Sequence, residues 1–115
     1  MTERKTKEIS ATRILRKTHE RIIKNFMDIL ILAELRKKYT ISGPGLITFF
    51  HEKSGILISP GIVYSVLYAL ERKGLTEGMW NGRKRVYKLT DKGEETINII
   101  LNVKEKILRF VATLL

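Results

Sequence analysis

The sequence has no cysteine, which excludes disulfides, a thiol nucleophile and any cysteine-based zinc site. Histidine is nearly absent too. His19 and His51 stand alone, without the spacing of a metal-ligand set or a catalytic triad, and read as structural residues. Acidic residues are sparse, 12 against 22 Lys and Arg, and they form no metal-ligand pattern. The Ser42-Gly43-Pro44-Gly45 turn lacks the lysine and the spacing of a nucleotide-binding loop. Long apolar runs are missing: a membrane span needs about 20 residues, and the longest run, 29–33, has five. The opening MTERKTKEIS is charged and leads into no signal-peptide core. The expectation is a cytoplasmic protein that is not an enzyme, with no metal, no cofactor and no membrane partner.

What the chain does have is positive charge. The net charge is +10, with a pI near 10.0. Eight Lys or Arg against three Glu fall in the first 25 residues, and a second cluster is Arg83-Lys84-Arg85. Such an excess suits a polyanion, most simply nucleic acid. A solvated basic surface and headgroup binding are the bland alternatives. The 115 residues suit one domain, and 43% apolar content suffices for a modest core. A chain this small has much surface per volume, so a dimer would help its stability.

The stretch 54–75 organises the rest. Ser59 is placed to cap a helix, with its hydroxyl accepting from a first-turn N–H, and Pro60 takes the first helical position. The helix runs over 60–73 and stops at Gly74 after Arg72 and Lys73. Val63, Val66, Leu67 and Leu70 form a buried stripe at helical spacing. The opposite face carries Gly61, Tyr64, Ser65, Tyr68 and Arg72, with nothing acidic until Glu71.

Residues 1–9 show no apolar periodicity and read as an arm or a frayed helix start. A helix capped by Ser10 or Thr12 then runs to Lys38, with a break expected near Thr18-His19. Turn residues 42–45 end it, and Ile41 can add a short strand. A second short helix over 46–53 precedes the 60–73 helix, which is helix-turn-helix order. Residues 75–80 and 83–89 read as strands joined by an Asn81-Gly82 type I′ turn. Its tip is cationic, and Tyr87 and Leu89 are expected to face the core. A last helix begins with Asp91 as N-cap and Glu94 three positions on, and nothing breaks it. Ile97, Ile100, Leu101, Leu108, Val111 and Leu115 make one apolar stripe on it, widened by Ile99, Val103, Phe110 and Leu114. So much terminal apolar surface calls for a symmetry mate and the N-terminal helix. The fold class is mainly α with a small β-hairpin: a winged helix-turn-helix over 21–90, preceded by a basic extension, 1–20, and followed by a C-terminal dimerisation helix, 91–115.

The sequence also resembles the PadR-like transcriptional regulators. The resemblance rests on Leu30-Ile31-Leu32, on Ser59-Pro60-Gly61-Ile62-Val63-Tyr64 and on Leu70-Glu71-Arg72-Lys73-Gly74-Leu75. Tyr87-Lys88-Leu89-Thr90 and Lys92-Gly93 complete it, so it covers roughly residues 24–95. It implies a homodimeric repressor of the family's shorter branch, whose third helix enters the major groove while the wing touches the DNA backbone and the C-terminal helix dimerises. Departures are the Gly43-Pro44-Gly45 segment, where the family usually has Gly-Tyr, and Ser65, where a proline often follows the tyrosine. The basic segment before Lys24 is additional. Some members release DNA on binding an aromatic or multidrug ligand, but the tryptophan lining that pocket has no counterpart in the last helix. A small-molecule effector is therefore unsupported.

The candidate contacts to double-stranded DNA are Ser59, Gly61, Tyr64, Ser65, Tyr68 and Arg72 on the helix, and Arg83, Lys84 and Arg85 on the wing. Tyrosines can reach phosphates, base edges or thymine methyls. The alternative for Tyr64 is packing against the helix-turn-helix scaffold, and for Ser59 simple capping. A wing arginine can enter the minor groove while lysine neutralises phosphate. Arg13, Arg16 and Lys17 suit flanking phosphates or plain solvation. Two such helices in a dimer would read successive major grooves of a pseudo-palindromic operator. The expected place is the cytoplasm, in association with the nucleoid; the competing expectation is an architectural or chromatin protein that binds DNA with little sequence preference, and a third is a winged helix used only for protein assembly.

Overall fold

The computed structural model describes the backbone of residues 2–115 and the side chains from Ser10 onward. In chain order the elements are α1 (Thr2–Asn25), α2 (Met27–Lys38), β1 (Ile41–Ser42), α3 (Gly43–Ser54), α4 (Pro60–Arg72), β2 (Thr76–Asn81), β3 (Lys84–Leu89), α5 (Asp91–Asn102) and α6 (Lys104–Leu114). The three strands form one antiparallel sheet in the order β1-β3-β2, so the hairpin is joined by the short strand at Ile41.

Helix α2 is the centre of the core. It buries Met27, Ile31, Leu32 and Leu35 against Leu46 and Phe50 of α3, Val63, Leu67 and Leu70 of α4, Tyr87 of β3 and Ile97 of α5. Each such side chain contributes about 1.5–3 kcal/mol when fully withdrawn from water. Ile56 and Ile58 close the core from the α3–α4 connection, while Leu57 between them points outward. The radius of gyration is 16.8 Å, against roughly 13 Å for a compact domain of this length. Helices α1 and α6 account for the excess: α6 and the described side chains of α1 are mostly exposed, and the 24 residues of α1 extend about 1.5 Å each.

Several local expectations need correction. The N-terminal helix starts at Thr2, not at Ser10 or Thr12. Its break lies at Phe26, with φ −110° and ψ 17°, not near Thr18-His19. There Phe26 N–H still donates to Ile22 and Leu30 N–H to Phe26, so the ladder bends without ending. The last helix is interrupted at Val103, with φ −104° and ψ 12°, although no glycine or proline marks the place. Thr90, not Asp91, caps α5, its Oγ1 accepting from Gly93 N–H at 3.1 Å. In the hairpin Asn81 pairs with Lys84, which leaves Gly82 and Arg83 as the turn. Only Gly82 has positive φ, 64°, and this fits a turn with glycine at its first central position, not type I′.

The end of α4 meets the sheet and α5 at one residue. Gly74, at φ 73°, lets Gly74 N–H donate to Glu71 and Leu75 N–H to Leu70, a Schellman stop. The Leu75 carbonyl then accepts from Thr90 N–H at 3.1 Å. Gly93 packs on the same carbonyl so closely that a Cβ there would run into it. Gly93→Ala must therefore push α5 off the base of the wing. The expected loss is about 1–3 kcal/mol, read as a lower urea midpoint with an unchanged m-value.

Candidate nucleic-acid interface

Helix α4 is held so that one face is sealed and the other open. The N-cap of α3 aims its partner: Ser42 Oγ accepts from Gly45 N–H at 3.0 Å, with Pro44 in the first turn. Gly55, at φ 70°, ends α3. Ser54 Oγ donates to the Phe50 carbonyl and accepts from Ile56 N–H at 3.1 Å, which turns the chain toward α4. On α4, Val63, Leu67 and Leu70 are buried and Val66 half-buried, while Gly61, Ser65, Tyr68 and Arg72 are exposed.

Ser59 occupies the N-cap position, but its side chain makes no capping hydrogen bond. Ile62 and Val63 N–H groups both donate to the Ser59 carbonyl instead. Ser59, Pro60 and Gly61 are exposed, so this helix end opens outward. Tyr64 is half-buried, its ring lying over Gly43 at the buried start of α3. Tyr68 is 49% exposed and stacks at a tilt beside Tyr64, with ring centroids 6.4 Å apart.

The wing presents two faces. Residues alternate along β3, so Arg85, Tyr87 and Leu89 share the inner face, with Tyr87 only 1% exposed. On the outer face Glu77 and Lys88 are cross-strand partners joined at 3.1 Å, and this pairing raises the Lys88 pKa. Arg83 and Lys84 are exposed at the tip. Arg85 is placed differently. Its Nη2 donates to Glu71 Oε2 at 3.0 Å, and its guanidinium carbon lies 5.9 Å from the Trp80 ring centre and 5.7 Å from that of Tyr87. The Tyr87 hydroxyl, ahead of the charge on Glu71, raises the pKa of Arg85, and burial raises that of Tyr87. The three wing cations expected as one cluster are thus two free charges and one paired charge.

On the expected dimer stripe, Ile97 is fully buried in the chain's own core and Ile100 packs against it. Ile97 is closed to any partner, while Ile100 is half-buried. Leu101, Leu108, Val111 and Leu115 are exposed, as are Phe110 and Leu114. An apolar groove of about 390 Å³ lies between α1, α2 and α3, lined by residues including Ile22, Ile23, Leu30, Phe49 and Phe50. On α1, Arg13, Arg16, Lys17 and Arg21 are exposed, while Lys24 is tied to Glu20 at 2.8 Å. His19 and His51 are exposed, and the described residues contain no group of acids or histidines that could hold a metal. No helix among them is long and apolar enough to cross a membrane.

Sequence reasoning missed the Glu71–Arg85 pair, the glycine at 78 beneath it and the exposed Trp80 beside it. The signal was present: period two along β3 puts Arg85 on the same face as Tyr87, so a buried Tyr87 turns Arg85 inward. It also missed Tyr39, which is exposed and holds a positive φ of 69°. There Thr40 N–H donates to the Lys38 carbonyl, a tight three-residue turn.

A family model described as the transcriptional regulator PadR-like family matches residues 30–99. Among solved structures, the fold is similar to a PadR family transcriptional regulator from Eggerthella lenta DSM 2243, with TM-score 0.72 and 22% identity over 92% of this chain and 96% of that one. It is also similar to a PadR family regulator from Clostridium difficile R20291, with TM-score 0.63 and 25% identity over 77% and 93%. A third is Bacillus subtilis PadR in complex with operator DNA, with TM-score 0.55 and 27% identity over 65% of this chain and 45% of that one. No curated relative matches the sequence.

The Tyr64–Gly43 contact makes a direct prediction. Gly43→Ala is expected to lower stability by about 1–3 kcal/mol by displacing the Tyr64 ring. In a Tyr64→Ala background the same substitution should cost almost nothing. Additive losses in denaturant titrations would show that the two residues do not compete for one space.

Proposed function

Because the chain belongs to the PadR-like family of transcriptional regulators, we propose that it is a homodimeric repressor that binds a pseudo-palindromic operator through α4 and the wing. The observation that carries this reading is the exposed pair Arg83 and Lys84 at the wing tip, beside an exposed face of α4 whose one acid, Glu71, is neutralised by Arg85. A polyanion meets no free negative charge on that helix. Ser59, Gly61, Tyr64, Ser65, Tyr68 and Arg72 make the groove contacts in this reading. Tyr64 contributes the part of its ring and hydroxyl not covered by Gly43. Arg83 and Lys84 take phosphate or enter the minor groove. The Bacillus subtilis PadR structure, in complex with operator DNA, supports DNA as the partner.

The dimer is supported by surface that one chain leaves uncovered. Helix α6 buries none of its residues, yet carries Ile107, Leu108, Phe110, Val111 and Leu114. Helix α1 exposes Ile14, Leu15 and Ile22, and Phe26 after it is exposed too, next to the apolar groove. A two-fold partner that supplies α6 to α1 covers both surfaces at once. Helix α5 commits Ile97 to the chain's own core and leaves Ile99 and Leu101 exposed, so α6 carries most of the association in this reading.

A second reading, an architectural protein with little sequence preference, draws support from the net charge of +10 and from Arg72 as the one cation on the reading face of α4. The two readings separate on a specificity ratio. A regulator retains roughly 10³ or more between a duplex selected from random DNA and an unselected one at physiological salt.

Two outcomes follow. Tyr68→Ala is expected to weaken binding to the selected duplex more than to the unselected one, while Lys84→Ala weakens both and lowers the salt slope by about 0.9 per bound wing. Equal losses on every duplex would remove Tyr68 from the reading surface. Truncation after Asn102 is expected to leave a folded monomer, since α6 adds nothing to the core; a dimer surviving in sedimentation would refute the role given to α6.

A further inference from the structure

The C-terminal turn of α4 and the wing are joined by one side-chain pair. Glu71 projects from the last turn of α4, and Arg85 comes from the inner face of β3. They meet at 3.0 Å, with side chains 24% and 36% exposed respectively. To get there the Arg85 side chain crosses the neighbouring strand. Position 78, opposite Tyr87, is glycine, and a Cβ built there would lie 2.6 Å from the guanidinium carbon. A glycine in mid-strand commonly marks such a close approach. Trp80, directly opposite Arg85, and Tyr87 then flank the guanidinium. The second Glu71 oxygen is buried without a hydrogen-bond partner, so the bond from Arg85 to the first oxygen is what compensates this carboxylate for its partial burial.

We infer that Glu71, Arg85, Gly78 and Trp80 form a clamp that fixes the angle of the wing to α4, with Arg85 a positioning residue and not a phosphate ligand. This rests on the DNA-binding reading above for its consequence, but not for its geometry. The clamp sets where Arg83 and Lys84 stand relative to the groove that α4 enters. It also cancels the one acid on α4 that would repel the DNA backbone. A planar guanidinium suits this place, since it can hydrogen-bond a carboxylate at its edge while its face lies on rings. Lysine keeps the charge but loses the fork.

The test uses full-length protein. Trp80 is the only tryptophan, so its emission reports on the clamp without DNA. Glu71→Gln, Arg85→Lys and Gly78→Ala are each expected to shift that emission while leaving far-UV circular dichroism unchanged. With a 40-base-pair duplex selected from a random pool, each is expected to weaken binding roughly threefold to tenfold, with Glu71→Gln and Gly78→Ala non-additive. The salt slope should stay at the wild-type value in all three and in Arg85→Ala. If Arg85→Ala lowers the slope by about 0.9 per wing, and Glu71→Gln tightens binding, Arg85 is a phosphate ligand and the inference is wrong. Unshifted Trp80 emission in all three variants overturns it as well. If wild-type protein binds no duplex, the DNA reading fails, and Trp80 emission still decides the clamp.

Discussion

The backbone of Leu75 is the point on which the arrangement turns. Its N–H closes α4, its carbonyl receives Thr90 N–H, and that carbonyl also forms the surface on which Gly93 sits. One peptide thus fixes the end of α4, the root of the wing and the start of α5. Backbone hydrogen bonds suit this task because their geometry tolerates little variation. The glycines at 74 and 93 are required for different reasons. Gly74 supplies a left-handed φ, and Gly93 supplies room. Thr90 adds to the joint by donating to the Gly74 carbonyl while it caps α5.

Beyond this joint, electrostatics divides the labour. The exposed face of α4 is nearly neutral: Arg72 is its exposed cation, and Glu71 is taken up by Arg85. The attraction for a polyanion lies on the wing tip and on α1. A face with hydroxyls, small residues and two neighbouring tyrosines is suited to discriminate among base edges. It is poorly suited to supply affinity, which for DNA comes largely from phosphate neutralisation. In the proposed DNA-binding reading, selection and attraction therefore sit on different elements, and their relative placement matters as much as their composition.

Much of the fold was legible in the chain. Pro60 and Gly74 bracket α4 because each has a backbone property that only certain helix positions accept. Val63, Leu67 and Leu70 mark its buried side through period alone. Tyr87 could be assigned to the core because side chains alternate across a strand. The errors have equally local causes. Thr90 and Asp91 are both good caps, and the contact between Gly93 and Leu75 decided between them. The interruptions at Phe26 and Val103 carry no glycine or proline, so composition could not place them. The stripe from Ile97 to Leu115 looked continuous because one helical period was projected along the whole segment. In space α5 packs on its own core and α6 does not.

By itself the sequence determined the order of elements, the sealed and open sides of α4 and the cationic wing. These are properties of period, backbone conformation and side-chain type, and they act over a few residues. Tertiary structure alone decided which cations are free. Arg83, Lys84 and Arg85 are consecutive and chemically alike, yet Arg85 is bound to a carboxylate fourteen residues away. That distinction needs the register of β2 against β3, the glycine at 78 and the direction of the last turn of α4. Charge pairing depends on distance through space, and a linear chain specifies that distance only once it is folded.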